Sequence, residues 1–446
     1  MIVPRTSLIV WTAVLFLPGA LAAAFVPGAL TLFVLGAIAF ALVATADAAA
    51  SLSRLAQIDA RFPEVVRLTR RRQGAIPIHL QPGKGTPRRI RIGLQLPREL
   101  ESLQDSLRVE LPPDLASAEV EWACLPLQRG RFEVASVYLE ASSLFGWWAI
   151  RRTLPARTEI RVYPDVMRER NKLAAMFLNR GALGVHAMRR VGKGRDFEQL
   201  REYIAGDSYE DVHWKATARR SHPVTKVYQV ERTQEVYVIL DASRLSAREV
   251  LDESNAHKEA QLERFIAAAL VLGLVAQRQG DLFGLLTFSD RVHSFIRAKN
   301  GTAHYHTVRD GLYMLQPRVV NPDFDELASF IRTRLRRRAL LIFLTNLDDP
   351  VLAEQFTRSM DLLSRQHLVL VNMIVPEGVQ PLFRGGDIAD FDEIYDRLAG
   401  HLRWHDLREV QRVLHYRGVT MSLLHNTSLA PELVTQYINV KQRQLL

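Results

Sequence analysis

Residues 7–46 carry no charged side chain. A run of that length constrains the fold more than any motif in the chain. A hydrocarbon layer about 30 Å thick is crossed by about 20 helical residues at about 1.5 Å each. The run divides into SLIVWTAVLFLPGALAAA (7–24) and FVPGALTLFVLGAIAFALVATA (25–46), each long enough to cross once. Two Pro-Gly pairs, Pro18-Gly19 and Pro27-Gly28, lie near the middle and favour a break there. Residues 1–50 are therefore expected to form a transmembrane helical hairpin. A cleaved signal peptide is the competing reading, with Arg5 as its basic start and ALAAAF as its cleavage region. The second uncharged span favours the hairpin, because it would remain after cleavage.

A hairpin puts both of its ends on one side. Residues 50–91 hold ten Lys and Arg against two acidic residues, Asp59 and Glu64. Segments flanking a membrane on the inside carry such an excess. The expected location is the inner membrane, with the remaining domains cytoplasmic. The same arginines suit anionic lipid head groups. The net charge of +10 also suits nucleic acid or an acidic partner. The position of the basic cluster beside the apolar run points to lipid first and against nucleic acid as a partner. Cys124 is the one cysteine, so no disulfide forms within the chain, and a buried, inert thiol is expected.

At 446 residues the chain suits two or three domains. From about residue 60 to 165, short runs alternate polar and apolar side chains: VRLTR, IPIHL, RIRIGLQL, SLRVEL, AEVEWACL, RFEVASVYLEA and EIRVYP. Seven short strands separated by Pro, Gly or Asp suggest a β-sandwich-like domain over 51–165. Trp122, Trp147 and Trp148 are candidates for core packing or a ligand platform. A connector spans 166–234.

From residue 235 the period changes. EVYVILDAS, DLFGLLTFSD, ALLIFLTNLDD, HLVLVNMIVP and VTMSLLHN read as strands buried on both faces. Helical stretches separate them, at 257–280, 303–315, 322–338, 351–366, within 388–416 and at 431–446. This alternation predicts a doubly wound, mostly parallel α/β domain over 235–446. Ligands bind such sheets beyond the carboxyl ends of the strands. Asp241 and Ser243 end the first strand here, and Thr345, Asn346, Asp348 and Asp349 end another. Those oxygens are of the kind that hold Mg²⁺ or Mn²⁺.

Residues 192–219, GKGRDFEQLREYIAGDSYEDVHWKATAR, mix dense charge with aromatic residues. The segment is similar to the signature of the domain-of-unknown-function 58 family, whose members have a von Willebrand factor A-like domain. It matches at Gly192, Gly194, Asp196, Phe197, Leu200, Arg201, Tyr203, Gly206, Asp207, His213, Trp214, Lys215, Ala218 and Arg219. The hairpin, an Arg-Gly-x-Phe ending at Phe132, the Val162-Tyr163-Pro164 triplet and the terminal α/β domain also resemble full-length members. The resemblance implies a binding or adaptor protein that works with a MoxR-type AAA+ ATPase to assemble or activate client complexes. It makes Arg201, Tyr203, Asp207, Trp214, Lys215 and Arg219 the candidate binding residues.

It also implies a metal-ion-dependent adhesion site of the form Asp-x-Ser-x-Ser at Asp241 and Ser243, with Thr302 as the loop threonine and Asn346 at the later strand end. Two positions depart from that pattern. Leu245 stands where the second serine belongs, and Asn346 replaces a carboxylate, so a metal is not expected to bind stably unless Ser246 or Asp348 substitutes. For the signature itself two readings stand. In one, Phe197, Tyr203 and Trp214 pack the segment onto the sheet while Arg201, Asp207, Lys215 and Arg219 pair internally. In the other, Arg201, Lys215 and Arg219 face carboxylates or phosphates of a partner.

Enzymatic readings are weaker. Gly192-Lys-Gly194-Arg lacks the remainder of a phosphate-binding loop, which argues against an intrinsic NTPase. A metal-dependent hydrolase or nuclease would need carboxylates converging on one ion, which sequence spacing cannot display. An envelope-facing adhesion or scaffold protein is the third class, and it requires the opposite membrane orientation. His304 and His306 would chelate on a strand but diverge on a helix.

Overall fold

The computed structural model describes residues 1–25, 29–83, 86–111, 117–167, 169–171, 173–174, 191–205, 207–229, 234–251, 258–382 and 391–443. Side chains of 53, 54, 191–199 and 227–229 are not described. Pro27, Gly28, Lys84, His186, Gly206 and His257 thus lie outside the described residues, as do the side chains of Arg54, Asp196 and Phe197. The chain divides into two compact units, Met1–Asp165 and Val166–Leu446.

The first unit begins with a short strand, β1 (Ile2–Pro4), followed by helices α1 (Thr6–Phe25) and α2 (Ala29–Ala56). Both helices are long and apolar enough to cross a membrane. Pro18 does not break the first of them, because α1 runs through it. The helices approach closely at Gly19, where a Cβ would come within 2.6 Å of the Phe33 ring. Phe16 meets Phe33 edge-on with centroids 5.7 Å apart.

The β-domain follows: β2 (Ile58–Arg61), β3 (Val65–Thr69), β4 (Gly74–Pro82), β5 (Arg89–Leu94), β6 (Leu100–Ser102), β7 (Leu107–Glu110), β8 (Ala118–Pro126), β9 (Gly130–Ser142) and β10 (Trp148–Tyr163). One sheet runs β1-β10-β9-β5-β7 with β3 beside β10, and the other runs β2-β4-β8-β6. Alternate residues of both sheets fill a single core, among them Ile76, Ile78, Trp122, Val137, Leu139 and Ile160. Period-two patterning produces this, since it turns every second side chain inward. Each of the seven alternating runs overlaps one of these strands. Strand β1 pairs with Trp148–Ile150 of β10, so the hairpin enters directly from the sheet. At the other end of α2, one Arg152 nitrogen donates to the carbonyls of Leu55, Ala56 and Ile58 at 3.1, 2.7 and 2.9 Å. A cation at a helix C-terminus satisfies carbonyls that have no partner within the helix.

Trp122 is buried, with its Nε1 donating to Ser102 Oγ at 3.1 Å. Cys124 is buried beside it, and burial pushes its thiol up to about 11. The thiolate is the reactive form. The native chain should therefore resist maleimide at neutral pH, while the denatured chain takes up one equivalent. Rapid labelling of the native chain would contradict this packing.

In the second unit, β11 (Val191–Glu202) and β12 (Val224–Gln229) form a two-stranded sheet, with the short helix α3 (Trp214–Arg220) between them in sequence. The α/β domain then contains β13 (Glu235–Asp241), β14 (Glu249–Leu251), β15 (Lys258–Ala260), α4 (Gln261–Arg278), β16 (Leu282–Phe288), β17 (Val292–Lys299), α5 (Thr302–Leu312), α6 (Phe324–Arg334), β18 (Leu340–Leu344), α7 (Pro350–Leu363), β19 (Leu368–Ile374), α8 (Phe391–Tyr416), β20 (Thr420–Leu424) and α9 (Leu429–Arg443). The main sheet is ordered β17-β16-β13-β18-β19-β20. All pairings are parallel except β16 with β17. Val236, Val238 and Leu240 pack with α4, α5 and α9 on one face. Tyr237 and Ile239 pack with α6, α7 and α8 on the other. Because both faces are covered, the central strands read as continuous apolar runs rather than alternating ones.

Candidate functional site

Asp241 ends the central strand β13, which pairs with β16 on one side and β18 on the other. The chain leaves β13 for β16 and later crosses to β18, so the strand end is a topological switch point. Asp241 is fully buried. Its Oδ1 accepts from the Ser243 amide at 2.8 Å and its Oδ2 accepts from the Thr345 hydroxyl at 2.6 Å. Burial pushes its carboxyl above the usual range, and the hydrogen bonds from Thr345 and Ser243 oppose that rise.

The neighbouring polar groups are bonded to one another. Ser243 Oγ accepts from the Leu245 amide at 3.3 Å, and Ser246 Oγ donates to the Ser243 carbonyl at 2.9 Å. Asn346 and Gln261 form a buried amide pair, with Asn346 Nδ2 donating to Gln261 Oε1 at 2.6 Å and Gln261 Nε2 donating back at 3.1 Å. Asn346 Nδ2 also donates to the Leu245 carbonyl at 3.2 Å. Arg244 holds Asp349 at 3.2 Å and also binds Asn321, while Arg248 binds Asp348.

The structure thus brings Asp241, Ser243 and Asn346 to one strand end, but not Thr302. The antiparallel strand β17 carries the chain back to the opposite end of the sheet. There Thr302 begins α5 and accepts from Gln277 Nε2 at 3.1 Å. His304 and His306 follow on the same helix. The donor set at Asp241 does not fit a divalent cation. Hard cations take about six oxygen ligands with charge among them. Here one carboxylate stands with two hydroxyls, Leu245 is fully buried in the second serine slot, Arg244 holds Asp349, and Arg248 holds one oxygen of Asp348, whose buried Oδ1 has no hydrogen-bond partner. Among the described residues, no three His, Cys, Asp or Glu side chains group as they would around a metal. Gln261, Arg244 and Arg248 escaped the sequence reading because their partners lie 77 to 105 residues away.

The next strand end holds Ser289, whose hydroxyl donates to Asp290 Oδ1 at 2.6 Å and lies 2.6 Å from His293 Nε2. A hydroxyl has one proton. With that proton on Asp290, the imidazole is the donor to Ser289 and cannot serve as its base. Ser289 is also fully buried. The trio therefore reads as a strap on the loop rather than a nucleophile and its base.

The signature segment separates into a framework and an exposed face. Asp207 organises the framework. It takes Arg201 Nη2 at 2.6 Å, the Ile204 amide at 3.0 Å and the Thr225 hydroxyl at 3.4 Å. The Ile204 amide first, and then Arg201, hold its carboxyl below the usual range. The Tyr203 amide donates to the Pro223 carbonyl at 3.0 Å, and its ring lies 6.0 Å from that of Tyr209. His213 caps α3, its Nδ1 accepting from the Ala216 amide at 3.1 Å. On α3 itself Trp214 is 68% exposed, and Lys215 and Arg219 are also exposed. Trp214 therefore does not pack onto the sheet as the packing reading expects, and Arg201 is paired internally rather than presented. Tyr209 and Ile204 add apolar surface, at 76% and 62% exposure.

The strand order, the helices on both faces and the acid at the switch point define a von Willebrand factor A-like domain. Residues 199–388 match the family described as "Protein of unknown function DUF58". An uncharacterized protein of Mycobacterium tuberculosis, Rv1480, is 23% identical over 192 residues, which covers 42% of this chain and 58% of the relative. An uncharacterized protein of Mycobacterium bovis, Mb1516, matches to the same extent. The match thus spans less than two thirds of the length of these curated relatives. Among solved structures, BatB from Bacteroides thetaiotaomicron is 14% identical, with a TM-score of 0.30 over 47% of this chain and 99% of that one. An aerotolerance-related membrane protein from Bacteroides fragilis is 14% identical, with a TM-score of 0.29 over 46% and 98%. The class assignment rests on strand order and not on these overlaps.

Proposed function

We propose that this is a membrane-anchored adaptor. Its signature segment docks a protein partner, a MoxR-type AAA+ ATPase acting on client complexes. The observation that carries the reading is the exposure of Trp214, Lys215 and Arg219 on a framework fixed by Asp207 and His213. A rigid aromatic beside cations is the composition of binding hot spots. The arginine-rich flank after α2 supports an inner-membrane location with both units cytoplasmic.

Affinity capture of the full chain from its native membranes tests this. Wild type should recover an AAA+ ATPase, and the triple variant Trp214→Ala/Lys215→Ala/Arg219→Ala should lose most of it. Loss of one hot-spot aromatic alone costs about 2 kcal/mol or more, roughly thirtyfold in affinity. Equal recovery by both, or no ATPase with either, would refute the reading. A reporter fused after Leu446 tests the orientation, and activity only on the far side of the membrane would overturn it.

A further inference from the structure

The loop joining β9 to β10 reads Ser143-Leu-Phe-Gly-Trp-Trp148. A hairpin tip facing water takes Gly, Asn, Asp or Ser. This one exposes Leu144 at 58% and Phe145 at 63%. The loop is also held in place by both apolar helices. The Leu144 amide donates to Ser51 Oγ at 3.3 Å and the Phe145 amide to Asp47 Oδ1 at 3.2 Å. Trp148 Nε1 donates to the Ala44 carbonyl at 2.9 Å, and the Trp147 ring lies 5.0 Å from that of Phe40. From α1, Ser7 Oγ donates to the Gly146 carbonyl at 2.6 Å.

These contacts fix the level at which the loop sits. Phe40, Ala44, Asp47 and Ser51 form one stripe of α2, and Asp47 is the first charged residue after Arg5. At about 1.5 Å per residue, Phe40 lies about 10 Å inward of Asp47. The aromatic pair Phe145 and Trp147 leans toward the uncharged side of that boundary, with centroids 5.5 Å apart. Tryptophan concentrates at such a level, where an apolar ring meets a wet, polar surface. Five of the six amides of Ser143–Trp148 are also paired. Besides the two amides above, the Ser143 amide bonds to the Trp148 carbonyl at 2.9 Å and the Gly146 amide to the Ser143 carbonyl at 3.1 Å. The Trp148 amide donates to Ser143 Oγ at 3.0 Å. Paired amides remove the main penalty for placing a loop beside lipid.

We propose that Ser143–Trp148 is a third membrane contact, with Leu144 and Phe145 inserted into the lipid interface beside the hairpin. The β-domain is then seated on the bilayer rather than tethered above it. The inference rests on the hairpin crossing the membrane.

The test uses the full chain in phosphatidylcholine and phosphatidylglycerol vesicles. A fluorescent label is placed singly at Phe145→Cys, at Ile38→Cys within the hairpin and at Tyr138→Cys on β9. The last two positions are 52% and 46% exposed, and the native thiol is buried. Lipids carrying a nitroxide near the head group should remove most of the fluorescence at 145. Deep nitroxides should do so at 38, and neither should affect 138. Quenching at 38 without quenching at 145 refutes the loop contact and leaves the hairpin standing. Absence of quenching at 38 refutes both. Because a label can draw its own site into lipid, a second variant, Leu144→Asp/Phe145→Asp, is read with the label at Leu127→Cys at the far end of the β-domain. Wild-type loop residues should hold that label at a fixed distance from acceptor-labelled lipids. The charged pair should broaden and lengthen that distance, and an unchanged distance refutes the seating.

Discussion

Replacing Arg264 with Ala is expected to destabilise the α/β unit by about 3–5 kcal/mol, the usual cost of leaving buried carboxylates without their cation. The Arg264 side chain is only 10% exposed. It meets Glu169 at 3.1 Å and Glu259 at 4.0 Å, and donates to the Asn426 side chain and carbonyl at 2.8 and 2.9 Å. One guanidinium on α4 thus joins the segment before the signature, strand β15 and the turn that precedes α9. Its five donors in a flat fork suit this, and a lysine would not reproduce them. Urea unfolding of the full chain in detergent micelles measures the effect. Arg358→Ala is the control. Its pair with Glu354 is a solvent-exposed one within a helix, with side chains 72% and 76% exposed, and its loss should cost about 0.5 kcal/mol or less. Equal, small losses for both variants would show that the Arg264 cluster does not hold these elements together.

Asp241 should respond in opposite ways to two substitutions. Asp241→Ala leaves the Ser243 amide and the Thr345 hydroxyl without partners where there is no solvent. Each buried donor left unsatisfied costs about 1–3 kcal/mol. Asp241→Asn keeps an oxygen for the Ser243 amide, gives Thr345 Oγ a donor, and removes the buried charge. The pH dependence follows from the raised carboxyl. The native chain keeps a proton that the unfolded chain has already released. Its contribution to stability is whole below the unfolded-state value and is lost as pH rises through the higher native one. The Asn variant lacks that loss, so its stability relative to wild type should grow as pH rises above about 4. Unfolding midpoints across the acid-to-neutral range measure this. A wild type that gains on the Asn variant as pH rises, and gains further with Mg²⁺, would show an ionised carboxylate holding a cation.

Much of the architecture was legible in the residues because the causes are local. Uncharged segments the length of a bilayer have few solutions, and two helices result. Period two in 60–165 yields strands with one face inward, and unbroken apolar runs after 235 yield strands covered on both faces. Strand β17, VHSFIRAK, was not legible. It lies at an edge, half exposed, and its pattern is weak. That one strand reverses the chain and sends Thr302 to the wrong end of the sheet for a metal site. Strand β1 was equally hidden, since three residues mean little until Trp148–Ile150 lie beside them.

The sequence by itself determined the apolar hairpin, the two kinds of β pattern, the family match over residues 199–388 and the departure at Leu245. Tertiary structure alone decided what the polar residues do. It set Asp207 at the centre of a framework and turned Trp214 outward. It also gave Asp348 and Asp349 to two arginines and closed Asn346 onto Gln261. The physical reason is distance along the chain. Apolar periodicity acts within a few residues, whereas hydrogen bonds and ion pairs join groups that only the folded sheet brings within 3 or 4 Å.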